Sequence, residues 1–158
     1  MAKYISHSPE ETAKIAGEWL VRAAAQRSAS TGVSSGATVV GLAGHLGAGK
    51  TAFAKCVAQT LGITEDVTSP TFVIMKVYPI DSSKGFSWER LVHIDAYRLE
   101  HAKELGAIDF EAYAADRGNL VLIEWPENVK EMVEGLDGYS QLNFKVGEKD
   151  TERVIEFQ

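Results

Sequence analysis

The chain has a single cysteine, Cys56, among 158 residues. An internal disulfide is therefore excluded, and the composition fits a reducing compartment. Cys56 sits beside an apolar helical stripe and reads as a core residue rather than a reactive thiol. No apolar run approaches the ~18 residues that a membrane span needs. The opening MAKYISHSPEET also lacks the apolar centre of a secretory signal. The expectation is a cytoplasmic protein without a membrane partner. Arginine is scarce, at positions 22, 27, 90, 98, 117 and 153 only. With 16 basic against 22 acidic side chains the formal net charge is −6, and no basic cluster breaks that balance. This argues against a face that grips nucleic acid by neutralising phosphates. Internal repeats and low-complexity tails are absent too.

What remains is an ordinary globular composition, 45% apolar and 24% charged. The length suits one domain over residues 1–158, burying roughly 70% of its unfolded surface. One dense stretch, residues 38–61, organises it. Thr38-Val39-Val40-Gly41-Leu42-Ala43 is short, apolar and β-branched, and reads as a buried strand. Gly44-His45-Leu46-Gly47-Ala48-Gly49-Lys50-Thr51 then matches G-x-x-x-x-G-K-[ST], the phosphate-binding P-loop. Its glycines let backbone N–H groups approach phosphate oxygens with no Cβ in the way. A helix beginning at Lys50, Thr51 and Ala52 adds free N–H donors and the positive end of its dipole. Lys50 can reach β- and γ-phosphates, and the Thr51 hydroxyl can ligate Mg²⁺. Phe53, Val57 and Leu61 form that helix's apolar stripe, with Gly62 as its C′ cap. The motif predicts a nucleoside triphosphate site.

Before it, Ser8, Pro9 and Glu11 predict a helix start with a capping box, followed by an apolar stripe through Ile15, Trp19 and Leu20. After it, residues 68–72 (TSPTF) read as a hydroxyl-rich loop, and 72–78 and 91–94 as strands joined by a hairpin. The second of these can run parallel to the P-loop strand and deliver Asp95 near the phosphates. Helical stretches are expected over 100–105 and 110–116, a very apolar strand over 120–123, and a short helix from Pro126. Two strands follow, 139–146 and 153–157, with a turn between them.

Hydrolysis needs acids as well as a phosphate cradle. Leu91-Val92-His93-Ile94-Asp95 resembles a Walker B strand, with Asp95 placed to hold Mg²⁺ directly or through water. His93 shares the face of Asp95 and reads as an orienting histidine, since no third metal ligand lies nearby. Glu124 closes the apolar strand and admits two readings: water activation or a contact behind Mg²⁺, and a plain capping carboxylate before Pro126. Trp125 either stacks near the nucleotide or covers the sheet edge. Thr71 is the first choice for a second hydroxyl near Mg²⁺, then Thr68, with a simple turn as the competing reading. No guanine-reading N-K-x-D or T-K-x-D pattern is present, which favours adenine.

GHLGAGKT, TSPTF, HIDAYRLE, ELGAIDF and LIEWPENV, in this order and spacing, resemble the bacterial TsaE (formerly YjeE) family. The resemblance covers residues 41–129. It implies an α/β P-loop NTPase fold: one domain with a mixed, mostly parallel central sheet flanked by helices. It implies Mg-ATP at Lys50 and Thr51, the Walker B role for Asp95, a functional Glu124 and a Trp125 close to the nucleotide. It also implies an ATPase working with a threonylcarbamoyl transferase and that enzyme's non-catalytic paralogue in tRNA threonylcarbamoyladenosine biosynthesis, touching tRNA only indirectly. One departure stands out: His45 replaces the acid that usually follows the first P-loop glycine. Two other classes stay open, a small-molecule kinase and a nucleotide-sensing module without useful hydrolysis. A kinase lid usually carries several arginines, and only Arg98 is close in sequence to a proposed catalytic acid.

Overall fold

The computed structural model describes residues 2–29, 36–68 and 73–158. Its strands are β1 (Ala2–Ser6), β2 (Thr38–Ala43), β3 (Met75–Pro79), β4 (Arg90–Asp95), β5 (Asn119–Glu124), β6 (Tyr139–Val146) and β7 (Arg153–Phe157). The α-helices are α1 (Pro9–Ala29), α2 (Lys50–Thr60), α3 (Phe110–Ala115) and α4 (Lys130–Val133), with 3₁₀ turns at Ser82–Lys84, Ala102–Ile108 and Pro126–Val129. All seven strands form one sheet in the order β1-β7-β6-β2-β5-β4-β3. β6, β2, β5 and β4 pair in parallel, whereas β3 pairs antiparallel with β4, and β7 antiparallel with both β6 and β1. The α/β architecture and the β3–β4 hairpin match the expectation.

The alternation of each strand splits the core in two. Val40, Leu42, Leu91, Leu120 and Leu122 face α1 and α2, where Leu20, Phe53 and Val57 close over them. Val39, Val92, Ile94, Val121 and Ile123 face Leu105, Phe110, Val129 and Val133 on the other side. Covered on both faces, β5 is buried along its whole length, which is why it reads as an unbroken apolar run. Cys56 is half-buried against the α1–α2 side of the core. Gly62, at φ 77°, terminates α2 as expected.

Four local expectations shift. Glu11 N–H donates to Ser8 Oγ at 3.2 Å, but the Glu11 carboxylate accepts from His7 N–H at 2.7 Å instead of returning to Ser8. β3 begins at Met75 because Ile74 sits in the left-handed region at φ 64°, which breaks the strand. The 100–105 helix is instead the 3₁₀ segment Ala102–Ile108, ended by Asp109 at φ 60°. β1 was not anticipated. Among the described residues no helix is long and apolar enough to cross a membrane.

Candidate functional site

Register brings the candidate residues together. Leu42 on β2 pairs with Glu124 on β5, and Glu124 pairs with Asp95 on β4. The two acids therefore stand abreast, at the carboxyl ends of parallel strands where α/β folds bind ligands. The loop from Gly44 to Gly49 starts two residues beyond Leu42 and leads directly into α2. Gly44 has φ 150°, and a Cβ there would lie 2.4 Å from the Phe144 carbonyl oxygen, so only glycine fits between β2 and β6.

Lys50 is only 5% exposed. Its ammonium donates to the carbonyls of Gly44 at 2.5 Å and His45 at 3.0 Å, and lies 4.1 Å from the centre of the Trp125 ring. An ammonium has three N–H donors, so one is left for an anion entering the loop. Burial pushes the Lys50 pKa down, and the negative charges of Glu124, Glu127 and Asp95 oppose that shift.

Glu124 is 3% exposed. The Thr51 hydroxyl donates to its carboxylate, at 2.9 Å from Oε1 and 3.0 Å from Oε2, and His93 Nε2 lies 2.9 Å from Oε1. Asp95 Oδ1 accepts from the Tyr97 N–H at 2.9 Å. His93, Asp95 and Glu124 all continue the side of the sheet that faces α2, which follows from the alternation along β4 and β5.

Trp125 has φ 59° and ψ 51°, a left-handed conformation that costs a non-glycine residue roughly 1–3 kcal/mol. Its N–H bonds to the Leu42 carbonyl at 3.3 Å, and its ring packs against Tyr97 with centroids 5.0 Å apart. Asn128 ties the neighbouring turn down by donating to the Ala96 carbonyl at 2.9 Å. The strained backbone thereby aims an indole over the Lys50 ammonium.

Lys50, Thr51, Asp95, Tyr97, Glu124 and Trp125 line a cleft of about 820 Å³. Of the residues singled out in the sequence, Leu46, Gly47, Ala48, Gly49, Lys50, Thr51, Ala52, Asp95, Glu124 and Trp125 border it. Gly44 and His45 contribute the carbonyls that hold Lys50, while the His45 side chain is exposed. Thr68 is exposed and does not border the cleft. Thr71 lies outside the described residues. Sequence reasoning missed the far wall, built from residues 6–9 and from Asp150, Thr151 and Arg153. A Cβ at Gly49 would lie 3.5 Å from Arg153 Cδ, so this arginine stands at the mouth of the P-loop. Its guanidinium donates to the carbonyls of Asp150 and Glu152. No local motif marks Arg153; the pairing of β7 with β6 and β1 carries it there.

The donors fit Mg²⁺ better than a transition metal. Among the described residues no three His, Cys, Asp or Glu side chains converge as a metal cage. Mg²⁺ needs none, because it binds through one or two protein oxygens plus phosphate and water. A Thr51 hydroxyl that gives its proton to Glu124 keeps its oxygen lone pairs for a cation, and Asp95 stands one strand away.

The family model for the threonylcarbamoyl adenosine biosynthesis protein TsaE matches residues 6–155. The TsaE of Streptomyces coelicolor is 41% identical over 98 residues, covering 61% of this chain and 62% of that protein. The TsaE of Bacillus subtilis is 40% identical over 95 residues, covering 60% of this chain and 54% of that one. Both are described as tRNA threonylcarbamoyladenosine biosynthesis proteins, and the matched stretch spans less than two-thirds of either. The crystal structure of Bacillus subtilis YdiB superposes with a TM-score of 0.68 at 31% identity, covering 99% of this chain and 83% of that one. With a family match that runs through both walls of the cleft, the chain belongs to the TsaE family.

Proposed function

We propose that the protein binds and hydrolyses Mg-ATP in this cleft, as the accessory ATPase of tRNA threonylcarbamoyladenosine biosynthesis. The observation that carries the proposal is the Thr51 hydroxyl bonded to Glu124, with Asp95 alongside and the Lys50 ammonium at the same strand ends. A structural capping role for Glu124 would not require a P-loop hydroxyl as its partner.

The chain's own groups divide the work. Loop N–H groups and Lys50 take the phosphates, with Lys50 exchanging its two carbonyl acceptors for phosphate oxygens. The Thr51 oxygen and Asp95 would hold Mg²⁺, Asp95 directly or through water. That ion would supply positive charge to offset the negative charge that builds on the phosphate oxygens during transfer. Glu124 aligns the attacking water. Trp125 and Tyr97 wall the phosphate end, while residues 6–9 and Arg153 border the arm left for ribose and adenine. Turnover serves a threonylcarbamoyl transferase and its non-catalytic paralogue, as the family resemblance implies, with tRNA engaged through them.

Lys50→Ala tests the reading. Loss of a charge-assisted bond of about 1.5–3 kcal/mol should weaken ATP binding by about 10–100-fold while the fold persists. Titration calorimetry on a folded variant measures this, and unchanged ATP binding and turnover would overturn the assignment. The same incubations separate a kinase, which would leave a phosphorylated small product instead of free phosphate.

A further inference from the structure

His93 is fully buried, at 0% exposure, on the α2-facing side of the sheet, one strand in from the β3 edge. Its row neighbours are Lys76 on β3 and Leu122 on β5. An imidazole in such a place replaces an aliphatic residue that would pack as well, so its polar atoms need a reason. One of them has it: Nε2 meets Glu124 Oε1 at 2.9 Å. The other, Nδ1, is buried with no hydrogen-bond partner among the described residues. An ionised carboxylate only accepts, so Nε2 must carry the proton. The tautomer with its proton on Nδ1 would bury an unpaired N–H, which folded proteins avoid more strictly than an unpaired lone pair. The geometry therefore favours the tautomer with its proton on Nε2, aimed at Oε1.

That fixed proton has a consequence for Glu124. The Thr51 hydroxyl lies within hydrogen-bond distance of both carboxylate oxygens but has one proton to give. A His93 proton on Oε1 tips the Thr51 proton toward Oε2. The carboxylate is then held from both ends by hydrogen-bond donors and kept from rotating about its last bond. We propose that His93 is the positioning residue of the site: it sets the rotamer of Glu124, and through Glu124 the direction of the Thr51 oxygen lone pairs. It touches neither nucleotide nor metal. The consequence for turnover rests on the ATPase reading above; the tautomer and its bond to Glu124 do not.

The test has one arm for each. In the nucleotide-free protein, a proton–nitrogen correlation spectrum of the histidine rings should show His93 protonated on Nε2 alone. Glu124→Ala should shift that resonance or mix the tautomers. The second arm compares His93→Phe, which keeps the bulk, with His93→Gln, whose amide nitrogen can stand where Nε2 stood. His93→Phe should lower kcat by about 10–100-fold, the range found when groups behind a metal ligand are removed. Its KM for ATP should stay close to that of the parent, and His93→Gln should recover most of the loss. A proton on Nδ1, an unshifted signal in Glu124→Ala, or equal kcat in the Phe variant and the parent would each overturn the proposal. Equal damage in the Phe and Gln variants would reduce His93 to packing. Should the parent protein itself fail to turn over ATP, the ATPase reading falls, while the spectrum still decides whether His93 positions Glu124. Should His93→Phe fail to fold, the parent's spectrum and the Gln variant still decide it.

Discussion

Asp95 and Glu124 are carboxylates at matched positions on neighbouring strands, yet their surroundings assign them different work. Glu124 is tied to two side-chain donors, Thr51 and His93, and has little freedom to follow a ligand. Asp95 spends Oδ1 on the backbone N–H of Tyr97, a bond that an asparagine oxygen can replace. Asp95→Asn therefore removes charge while preserving that turn. On the Mg²⁺ reading it should weaken ADP or ATP binding about tenfold or more in Mg²⁺, at about 1.5–3 kcal/mol for a charged contact, and much less in a chelator. Calorimetric titrations in both conditions make the comparison, and equal loss in the two would make Asp95 a structural acid. At this scale the sequence was most legible. The P-loop has a fixed spacing, and both acids close apolar strands, so their place at the strand ends follows from register alone. The geometry that no spacing encodes is the sideways one: that His93 meets Glu124, and that a left-handed Trp125 covers Lys50.

Among whole elements, legibility falls off with the distance between pairing partners. The β3–β4 hairpin and the β6–β7 pair are local, and turn residues mark them. β1 was missed because five residues ahead of a helix cap carry little pattern, and its partner β7 lies at the other end of the chain. The same long-range pairing hides Arg153. Its aliphatic stem lies against Gly49, and its head is held by the carbonyls of Asp150 and Glu152, so β7 and the turn before it present a guanidinium to the loop. Arg153→Ala should weaken ATP binding by about tenfold, the lower end expected for a charge-assisted bond. The loss should be smaller for inorganic triphosphate, which does not fill the ribose and adenine arm. Competition binding with both ligands measures this, and an equal loss would move Arg153 from that arm to the phosphate end.

At the scale of the molecule the question is what starts turnover. In GTPases, an arginine supplied in cis or by a partner adds positive charge on the transferring phosphoryl group beyond Mg²⁺ and the P-loop lysine. Here the arginine beside the loop is Arg153, and its guanidinium is already engaged with two carbonyls of its own turn. An arginine or a reordered loop supplied by a partner is worth about 10³–10⁵ in rate in other nucleotide hydrolases. The net charge of −6 suits docking on a basic protein surface better than docking on RNA alone. The rim of the cleft also carries exposed apolar side chains, Leu46 at 82% and Tyr97 at 52% exposure, where a protein would cover them. Hydrolysis by the isolated protein should accordingly be slow, and the transferase pair should raise it. Glu124→Ala should remove most of that stimulated rate while leaving ATP binding largely intact, because in the proposed mechanism Glu124 aligns water and Lys50 holds phosphate. Single-turnover hydrolysis, measured alone and with the pair for both proteins, decides the matter. Fast hydrolysis by the lone protein that the pair leaves unchanged would rule out a partner-gated ATPase. Full stimulated activity in Glu124→Ala would return that carboxylate to a structural role and leave the hydroxyl of Thr51 as a capping bond.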